Sequence, residues 1–150
     1  MDDFAQKVGA QNLFGAVGGA FNLVEPRKRP LSSMSPTIIT KNNEPYMALG
    51  SPSGTRIITC VAQTILNSVE FDMPLYEAVA ATRIHQQWQP DLLKIESPFL
   101  EPEVETELKK KGHNVVHERL GCSIQAVKKI KEGWNGVSDP RGEGLAQGTN

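Results

Sequence analysis

The chain has 150 residues, of which 39% are hydrophobic and 22% charged, which is ordinary for a globular protein of one domain with a sizeable core. The net charge of −1 gives no overall attraction to nucleic acid or to an anionic membrane. No stretch approaches the roughly 20 apolar residues that cross a bilayer, and the acidic start Met1-Asp2-Asp3 lacks the basic residues of a secretory signal. We therefore expect no membrane span and no export signal in this sequence.

Residues 1–36 are rich in Gly, Pro and Ser and show no sustained hydrophobic period, which predicts extended loops. A loop of this length is either functional or belongs with structure supplied by a partner. The run Pro26-Arg27-Lys28-Arg29-Pro30 is the one basic cluster. Three charges favour a solvated loop over a nucleic-acid-binding loop, so we expect no nucleic-acid partner.

A β-hairpin is predicted next, with strands at 37–40 and 45–49 around the turn Lys41-Asn42-Asn43-Glu44. A broad apolar stripe then predicts a helix from Thr55 to about Phe71. Cys60 falls on the apolar face of this helix, which favours a buried, inert thiol. Cys60 and Cys122 have neither metal-binding nor redox spacing, so they do not indicate a compartment.

The rest of the chain alternates irregularly between helix and strand. Pro74–His85 reads as a helix with Pro74 in its first turn. The remaining predicted elements are a strand at 92–96, a helix at 102–111 that Gly112 ends, and strands at 114–118, 123–130 and 133–138. Residues 139–150 read as a frayed, Gly-rich tail. The mixture without strict β-α-β alternation predicts one α+β domain over 1–150.

Five sequence strings are informative together. They are Met1-Asp2-Asp3-Phe4, Lys28-Arg29-Pro30-Leu31-Ser32-Ser33-Met34-Ser35-Pro36-Thr37, Gly50-Ser51-Pro52-Ser53-Gly54-Thr55-Arg56-Ile57-Ile58, Arg83-Ile84-His85-Gln86-Gln87-Trp88 and Ser138-Asp139-Pro140-Arg141. In this order they closely resemble the C-terminal part of the small subunit of the γ-glutamyltransferases (γ-glutamyltranspeptidases, glutathione hydrolases). The resemblance covers nearly the whole chain.

The resemblance implies part of a four-layer αββα sandwich of the N-terminal-nucleophile hydrolases, completed by a large subunit. In that family a Thr with a free α-amine attacks the γ-glutamyl carbonyl of glutathione or a related compound, and no cofactor takes part. The corresponding Thr would lie upstream of Met1, so we expect the 150-residue chain alone to be inactive. Members of the family are usually periplasmic or extracellular.

The resemblance also implies roles for individual residues. Asp3 matches the family's ligand for the substrate α-ammonium group, although on sequence alone a solvated acid at a loose terminus is the favoured interpretation. Ser32 and Ser33 match the pair that binds the substrate α-carboxylate. The alternative for this pair is an ordinary serine turn between Pro30 and Pro36.

Ser53 and Gly54 stand where the family usually has two glycines whose N–H groups form the oxyanion hole. They also begin the strongest predicted helix, so Ser53 could simply be its N-cap. Serine in place of glycine departs from the family pattern and restricts the backbone at positive φ.

Three histidines and two tryptophans also invite a functional interpretation. His85 is expected to pack or to hydrogen-bond rather than to act as a general base. His113 and His117 alternate on a strand without a third ligand nearby, so no metal is expected. Trp88 and Trp134 are expected in the core rather than on a stacking surface. A non-catalytic remnant, or a module that only binds an amino acid, remains the alternative to an enzyme component.

Overall fold

A four-stranded antiparallel sheet forms the centre of the fold. The computed structural model describes residues 3–148 and pairs the strands in the order β1-β2-β6-β7. The strands are β1 Thr37–Lys41, β2 Glu44–Gly50, β6 Gln125–Ile130 and β7 Gly133–Ser138. Asn42 and Asn43 take positive φ angles of 54° and 61° in the β1–β2 turn, which is the conformation that a tight hairpin requires. The predicted hairpin is therefore confirmed.

One long helical segment covers one face of this sheet. It begins with a 3₁₀ turn at Gly54–Arg56, continues as α1 (Ile57–Ile65) and ends in a π-helical turn at Leu66–Glu70. Its apolar stripe packs against the sheet and against α2 (Leu75–Ala80). The core contains Met47, Leu49, Ile57, Cys60, Val61, Leu75, Val79, Leu120, Cys122, Ile124, Ala126 and Val137. The helix predicted at 55–71 is thus present, but its predicted apolar stripe is only partly buried, since Ile58, Leu66 and Val69 are exposed.

A second sheet has three strands, of which two were predicted and the first lies at the end of a predicted helix. The helix predicted over Pro74–His85 ends at Ala80, and Arg83–His85 form β3. β3 pairs antiparallel with β4 (Leu93–Glu96), which pairs in parallel with β5 (Val115–His117). Arg83 and His85 are buried while Ile84 is exposed, so burial follows the period of a strand. The remaining helix, α3 (Pro102–Lys110), agrees with prediction and is followed by Gly112 at a φ of 92°.

The two cysteines correct the prediction of an inert thiol. Cys60 and Cys122 form a disulfide between α1 and the segment that precedes β6. Their sequence separation of 62 residues hid the pairing, because sequence alone does not show which distant residues meet.

The predictions for the tryptophans and the tail also need correction. Trp88 is 73% exposed in the turn after β3, and Trp134 is 53% exposed on β7, so neither lies in the core. Asp139, at the start of the predicted frayed tail, is buried, and the Arg141 side chain donates to the carbonyls of Val79, Ala80, Ala81 and Ser97. Residues 139–142 are therefore anchored to α2 and to the loop after β4.

Residues 3–36 contain little regular structure, as predicted. They hold a 3₁₀ turn at Ala20–Asn22 and two isolated bridges, Ala5 with Leu23 and Gln11 with Val17. These bridges fold the segment back on itself beside the start of the long helix. Among residues 3–148, no helix has the length and apolar character needed to cross a membrane.

Candidate functional site

A small cavity of about 80 Å³ lies between the N-terminal loops and the start of the long helix. Its lining residues are Asp3, Ala5, Asn12, Ala16, Val17, Gly18, Asn22, Leu31, Ser33 and Thr55. Two of the three predicted substrate ligands, Asp3 and Ser33, therefore share one cavity although 30 positions separate them in the sequence. Ser32 is exposed and lies outside this lining.

The Asp3 segment is held by a residue that the sequence analysis did not select. The Nδ2 of Asn22 donates to the carbonyl oxygen of Asp3 at 2.6 Å, and its Oδ1 accepts from the Leu31 amide at 3.1 Å. Asn22 is 8% exposed. A single asparagine in a Gly-rich loop carries no sequence signal for such a bridge, because both partners are backbone groups.

Side-chain hydroxyl groups hold the serine bend. The Oγ of Ser32 accepts from the Met34 amide at 3.2 Å, and the Oγ of Ser35 donates to the Ser33 carbonyl at 3.0 Å. The Oγ1 of Thr37 in turn donates to the Ser35 carbonyl at 3.1 Å. These short-range bonds are typical of serine and threonine turns. They fix a compact bend from which the half-buried Ser33 reaches the cavity.

The turn at Ser53 and Gly54 has left-handed backbone geometry at both residues, with φ angles of 117° and 55°. Serine takes this conformation because its Oγ donates to the Leu120 carbonyl at 2.5 Å. The Ser53 carbonyl accepts from the Arg56 amide at 3.2 Å, so Ser53 is the N-cap by position while its hydroxyl points elsewhere. The first N–H groups of a helix lack intrahelical acceptors, which suits them for an anion.

The close approach of Phe14 leaves little room for a side chain at Gly54. A Cβ added at Gly54 would lie 2.3 Å from the Phe14 ring. Phe14 belongs to a turn in which the Asn12 Oδ1 accepts from the amides of Phe14 and Ala16, each at 3.0 Å. The aromatic ring thus lies directly over the turn that carries the two candidate oxyanion amides.

A cluster of hydrogen bonds joins the start of the long helix to β3 and to the turn that follows it. The Gln87 Oε1 accepts from the Thr55 hydroxyl at 2.9 Å and lies 2.8 Å from the His85 Nε2. The His85 Nδ1 lies 2.8 Å from the Thr59 hydroxyl. Burial lowers the pKa of His85, and the charges of Arg56 and Lys94 lower it further while Gln87 opposes the shift. These contacts confirm the interpretation of His85 as a packed, hydrogen-bonded histidine.

A buried ion pair lies deeper in the fold. The Arg83 Nη2 donates to the Asp139 Oδ2 at 2.5 Å, and the Glu96 carboxylate lies 3.7 Å from the Arg83 Nη1. Burial lowers the pKa of Arg83, which the Asp139 carboxylate opposes. Burial also acts to raise the pKa of Asp139, but hydrogen bonds from the Ile124 and Arg141 amides and from Arg83 lower it overall. Neither Arg83 nor Asp139 lines the cavity between the N-terminal loops and the long helix.

The Glu96 side chain links this ion pair to the turn at Ser53 and Gly54. The Glu96 Oε1 accepts from the Leu120 amide at 2.8 Å. The Leu120 carbonyl in turn accepts from the Ser53 hydroxyl and from the Arg56 Nη1. Arg56 also pairs with Glu118 at 2.9 Å. The hydrogen bond from Lys94 lowers the pKa of Glu118. Within residues 3–148, no three His, Cys, Asp or Glu side chains come together as a metal site would require.

Comparison with known proteins identifies the family. The sequence profile described as gamma-glutamyltranspeptidase matches residues 1–149. The chain belongs to this family. It is 44% identical over 142 residues to the glutathione hydrolase proenzyme of Escherichia coli, and 42% identical over 159 residues to that of Pseudomonas sp. A14. These alignments cover 94% and 99% of this chain but 24% and 28% of the relatives, so it spans about a quarter of their length.

Solved gamma-glutamyltranspeptidase structures show the same fold. The Helicobacter pylori T380A mutant gives a TM-score of 0.89 at 44% identity, with 94% of this chain and 78% of that chain covered. The Pseudomonas nitroreducens protein in complex with L-DON gives 0.92 at 39% identity, with 99% and 79% covered. The α+β fold, as part of an N-terminal-nucleophile hydrolase, is thereby confirmed. The roles of Asp3, Ser32, Ser33, Ser53 and Gly54 remain predictions.

Proposed function

We propose that this chain is the substrate-binding and oxyanion-forming part of an enzyme that cleaves γ-glutamyl amides such as glutathione. The enzyme would transfer the γ-glutamyl group to water or to an amino-acid or peptide acceptor. One observation carries the proposal: Asp3 and Ser33 line the same cavity as Thr55, which directly follows the turn at Ser53 and Gly54. Groups suited to an ammonium and to a carboxylate therefore line one small space, and the turn proposed to hold the oxyanion directly precedes a third lining residue, Thr55.

The chemistry assigns a separate role to each group. The Asp3 carboxylate pairs with the α-ammonium group of the substrate. The hydroxyls of Ser32 and Ser33 donate to the α-carboxylate of the substrate without adding charge. The amides of Ser53 and Gly54 stabilise the negative charge that develops on the γ-carbonyl oxygen during attack. The nucleophile in this proposal is a threonine supplied outside these 150 residues. Its hydroxyl forms the acyl bond as the amine leaves, and water or an acceptor amine then breaks that bond.

The outer face of the central sheet supports the proposed partnership with further segments. Ile38 and Trp134 are 74% and 53% exposed on this side, away from the helices. A shallow cavity of about 820 Å³ crosses the same face between β1, β2, β6 and β7. In the proposed assembly the missing small-subunit segment and the large subunit cover this apolar surface.

A chimera provides the decisive experiment. This chain would replace the aligned 142 residues of the Escherichia coli glutathione hydrolase, and release of chromophore from a γ-glutamyl anilide would be followed. We expect turnover by the chimera and none by the 150-residue chain alone, since no internal threonine has a free α-amine. A folded chimera that binds glutamate without turnover would favour the alternative of a binding module.

Two substitutions in the chimera test the binding residues. Asp3→Asn, and Ser32→Ala together with Ser33→Ala, should raise KM more than they lower kcat, each by about 10- to 100-fold, which corresponds to bonds with charged groups. Asp72→Asn and Ser97→Ala are matched controls at exposed positions. Parental KM values in both test variants would refute the assignment of this cavity.

The oxyanion turn requires a different readout. Gly54→Ala introduces a Cβ that meets the Phe14 ring, so the ring or the turn must shift. Gly54→Pro instead deletes the N–H group itself. Because the Gly54 amide is needed mainly in the transition state, kcat of Gly54→Pro should fall by roughly 10- to 1,000-fold with little change in KM. The circular dichroism and melting of the variant must match those of the parent. An unchanged kcat in the proline variant would remove the Gly54 amide from the mechanism.

A further inference from the structure

Asn22 connects the two loops that carry the candidate substrate ligands. It ends the short 3₁₀ turn Ala20–Asn22 and is 8% exposed, in a segment where Phe21 beside it is 96% exposed. Its own carbonyl accepts from the Ala5 amide at 2.9 Å, which fixes its backbone against the chain that follows Asp3. The side chain therefore starts from a fixed point between the two loops.

Each end of the Asn22 amide group serves a different loop. The Nδ2 donor holds the Asp3 carbonyl at 2.6 Å, and the Oδ1 acceptor holds the amide of Leu31, the residue before Ser32, at 3.1 Å. Asparagine is the shortest side chain that combines an N–H donor with an oxygen acceptor on one rigid group. Aspartate would keep only the acceptor, and leucine would keep the approximate size with neither.

We propose that Asn22 is a positioning residue that sets the distance between the ammonium ligand Asp3 and the carboxylate ligands Ser32 and Ser33. This inference rests on the proposed function. Its consequence is specificity: a substrate is bound well only when it carries an ammonium and a carboxylate on the same carbon. A substrate with only one of these groups needs only one of the two loops and gains little from their spacing.

The experiment uses the chimera with three anilides. The γ-glutamyl anilide carries both groups, the glutaryl anilide lacks the α-ammonium, and the 4-aminobutyryl anilide lacks the α-carboxylate. Asn22→Leu should lower kcat/KM for the γ-glutamyl anilide by about 10- to 100-fold, mainly through KM, because bonds to two charged groups weaken. The two analogues should each lose less than about threefold.

Asn22→Asp separates the two bonds. It keeps the acceptor for the Leu31 amide but loses the donor to the Asp3 carbonyl. It should therefore lose discrimination against the glutaryl anilide while it keeps discrimination against the 4-aminobutyryl anilide. Asn67→Leu and Asn67→Asp are matched controls, since the Asn67 Nδ2 donates to the Ala78 carbonyl far from this cavity. Both controls should keep the parental ratios.

The outcomes separate this inference from the proposed function. If the parental chimera does not prefer the γ-glutamyl anilide, or Asp3→Asn leaves KM unchanged, the proposed function fails. If those tests succeed but Asn22→Leu lowers all three substrates equally, Asn22 is merely structural and this inference is wrong. Failure of both Asn22 variants to assemble, with both Asn67 variants assembled, has the same meaning. In an Asp3→Asn background the effect of Asn22→Leu should shrink to less than about threefold, and full additivity would also overturn the inference.

Discussion

Residues 3–36 and residues 37–141 are held together by different kinds of contact. The members of the buried apolar cluster lie between Met47 and Val137, where a disulfide and the Arg83–Asp139 ion pair add to it. The N-terminal loops depend instead on hydrogen bonds between backbone groups and the side chains of Asn12 and Asn22, which accept three of these bonds and donate one. Residues 37–141, which we call the body, thus owe their stability to burial. Residues 3–36, which we call the loops, owe their shape to a few polar side chains.

This difference separates the expected effects of substitution. A change in the body should alter the free energy of unfolding, because burial contributes most of the stability of a domain. A change in the loops should alter ligand binding more than stability, since each polar contact contributes only about 1 kcal/mol. The four predictions below test the body and its boundary with the loops, from the largest expected effect to the smallest.

The largest effect is expected from breaking the buried ion pair. Arg83→Met removes a guanidinium that is 2% exposed and leaves the Asp139 and Glu96 carboxylates buried beside it. Loss of one partner of a buried pair costs about 3–5 kcal/mol. The free energy of unfolding of the 150-residue chain, measured by chemical denaturation, should fall by that amount.

The matched control is a surface pair. Glu44→Gln disrupts the bond between the Lys129 Nζ and the Glu44 Oε2 on the exposed edge of the sheet, and it should leave the unfolding midpoint unchanged. If Arg83→Met were as mild as this control, the body would not depend on its buried pair, and the contrast with the loops would weaken.

The disulfide should have the next largest effect. Cys60 is fully buried and Cys122 is 3% exposed. Their bond closes a long stretch of chain that runs from within α1 through α2, β3, β4, α3 and β5. Removal of such a crosslink typically costs about 2–4 kcal/mol, in large part through a less constrained unfolded state. Denaturation with and without reductant should show this loss, and a Cys60→Ala/Cys122→Ala variant should be insensitive to reductant. Equal stability in both conditions for the parent would contradict the prediction.

The sequence predicted the body better than the loops, for a physical reason. The hairpin, the long helix and α3 follow from local periodicity and turn residues such as Asn42 and Gly112, which act within a few positions. The strand at Arg83–His85 was missed because its buried residue Arg83 is charged, and the Asp139 carboxylate that pairs with it lies 56 positions away in the sequence. The disulfide was missed for the same reason.

The candidate site shows the same division. The strings around Asp3, Ser32 and Ser33 were visible because their resemblance to a family is a matter of residue identity. The bridge by Asn22 was invisible, because its partners are the backbone groups of Asp3 and Leu31. The position of Phe14 over Gly54 was equally hidden, since it depends on how two distant loops meet. Sequence can therefore name candidate ligands, whereas their spacing depends on residues with no motif of their own.

A smaller effect is expected at Ser53, on the boundary between the two regions. Ser53→Ala loses the bond to the Leu120 carbonyl but keeps a φ of 117°, so it should destabilise the chain by about 1–2 kcal/mol. Ser53→Gly loses the same bond but relieves the backbone, and the two effects should nearly cancel. Chemical denaturation of both variants checks the order. If alanine were no worse than glycine, the left-handed geometry would not be a source of strain here.

The smallest effect is a pH dependence from His85, which is linked through Gln87 to Thr55 at the start of the long helix. Burial holds its pKa in the folded chain below the ordinary value of 6.5, so the unfolded chain takes up the proton first as pH falls. The stability from neutral His85 is therefore fully present above about pH 6.5 and is lost progressively below it. Denaturation midpoints between pH 8 and pH 5.5 should fall with pH in the parent and fall less steeply in His85→Gln. The control His113→Gln changes an exposed histidine. Its denaturation midpoint should keep the part of the pH dependence that His85 supplies. An equal slope in His85→Gln and the parent would mean that His85 accepts a proton in the folded body at no cost, contrary to its burial.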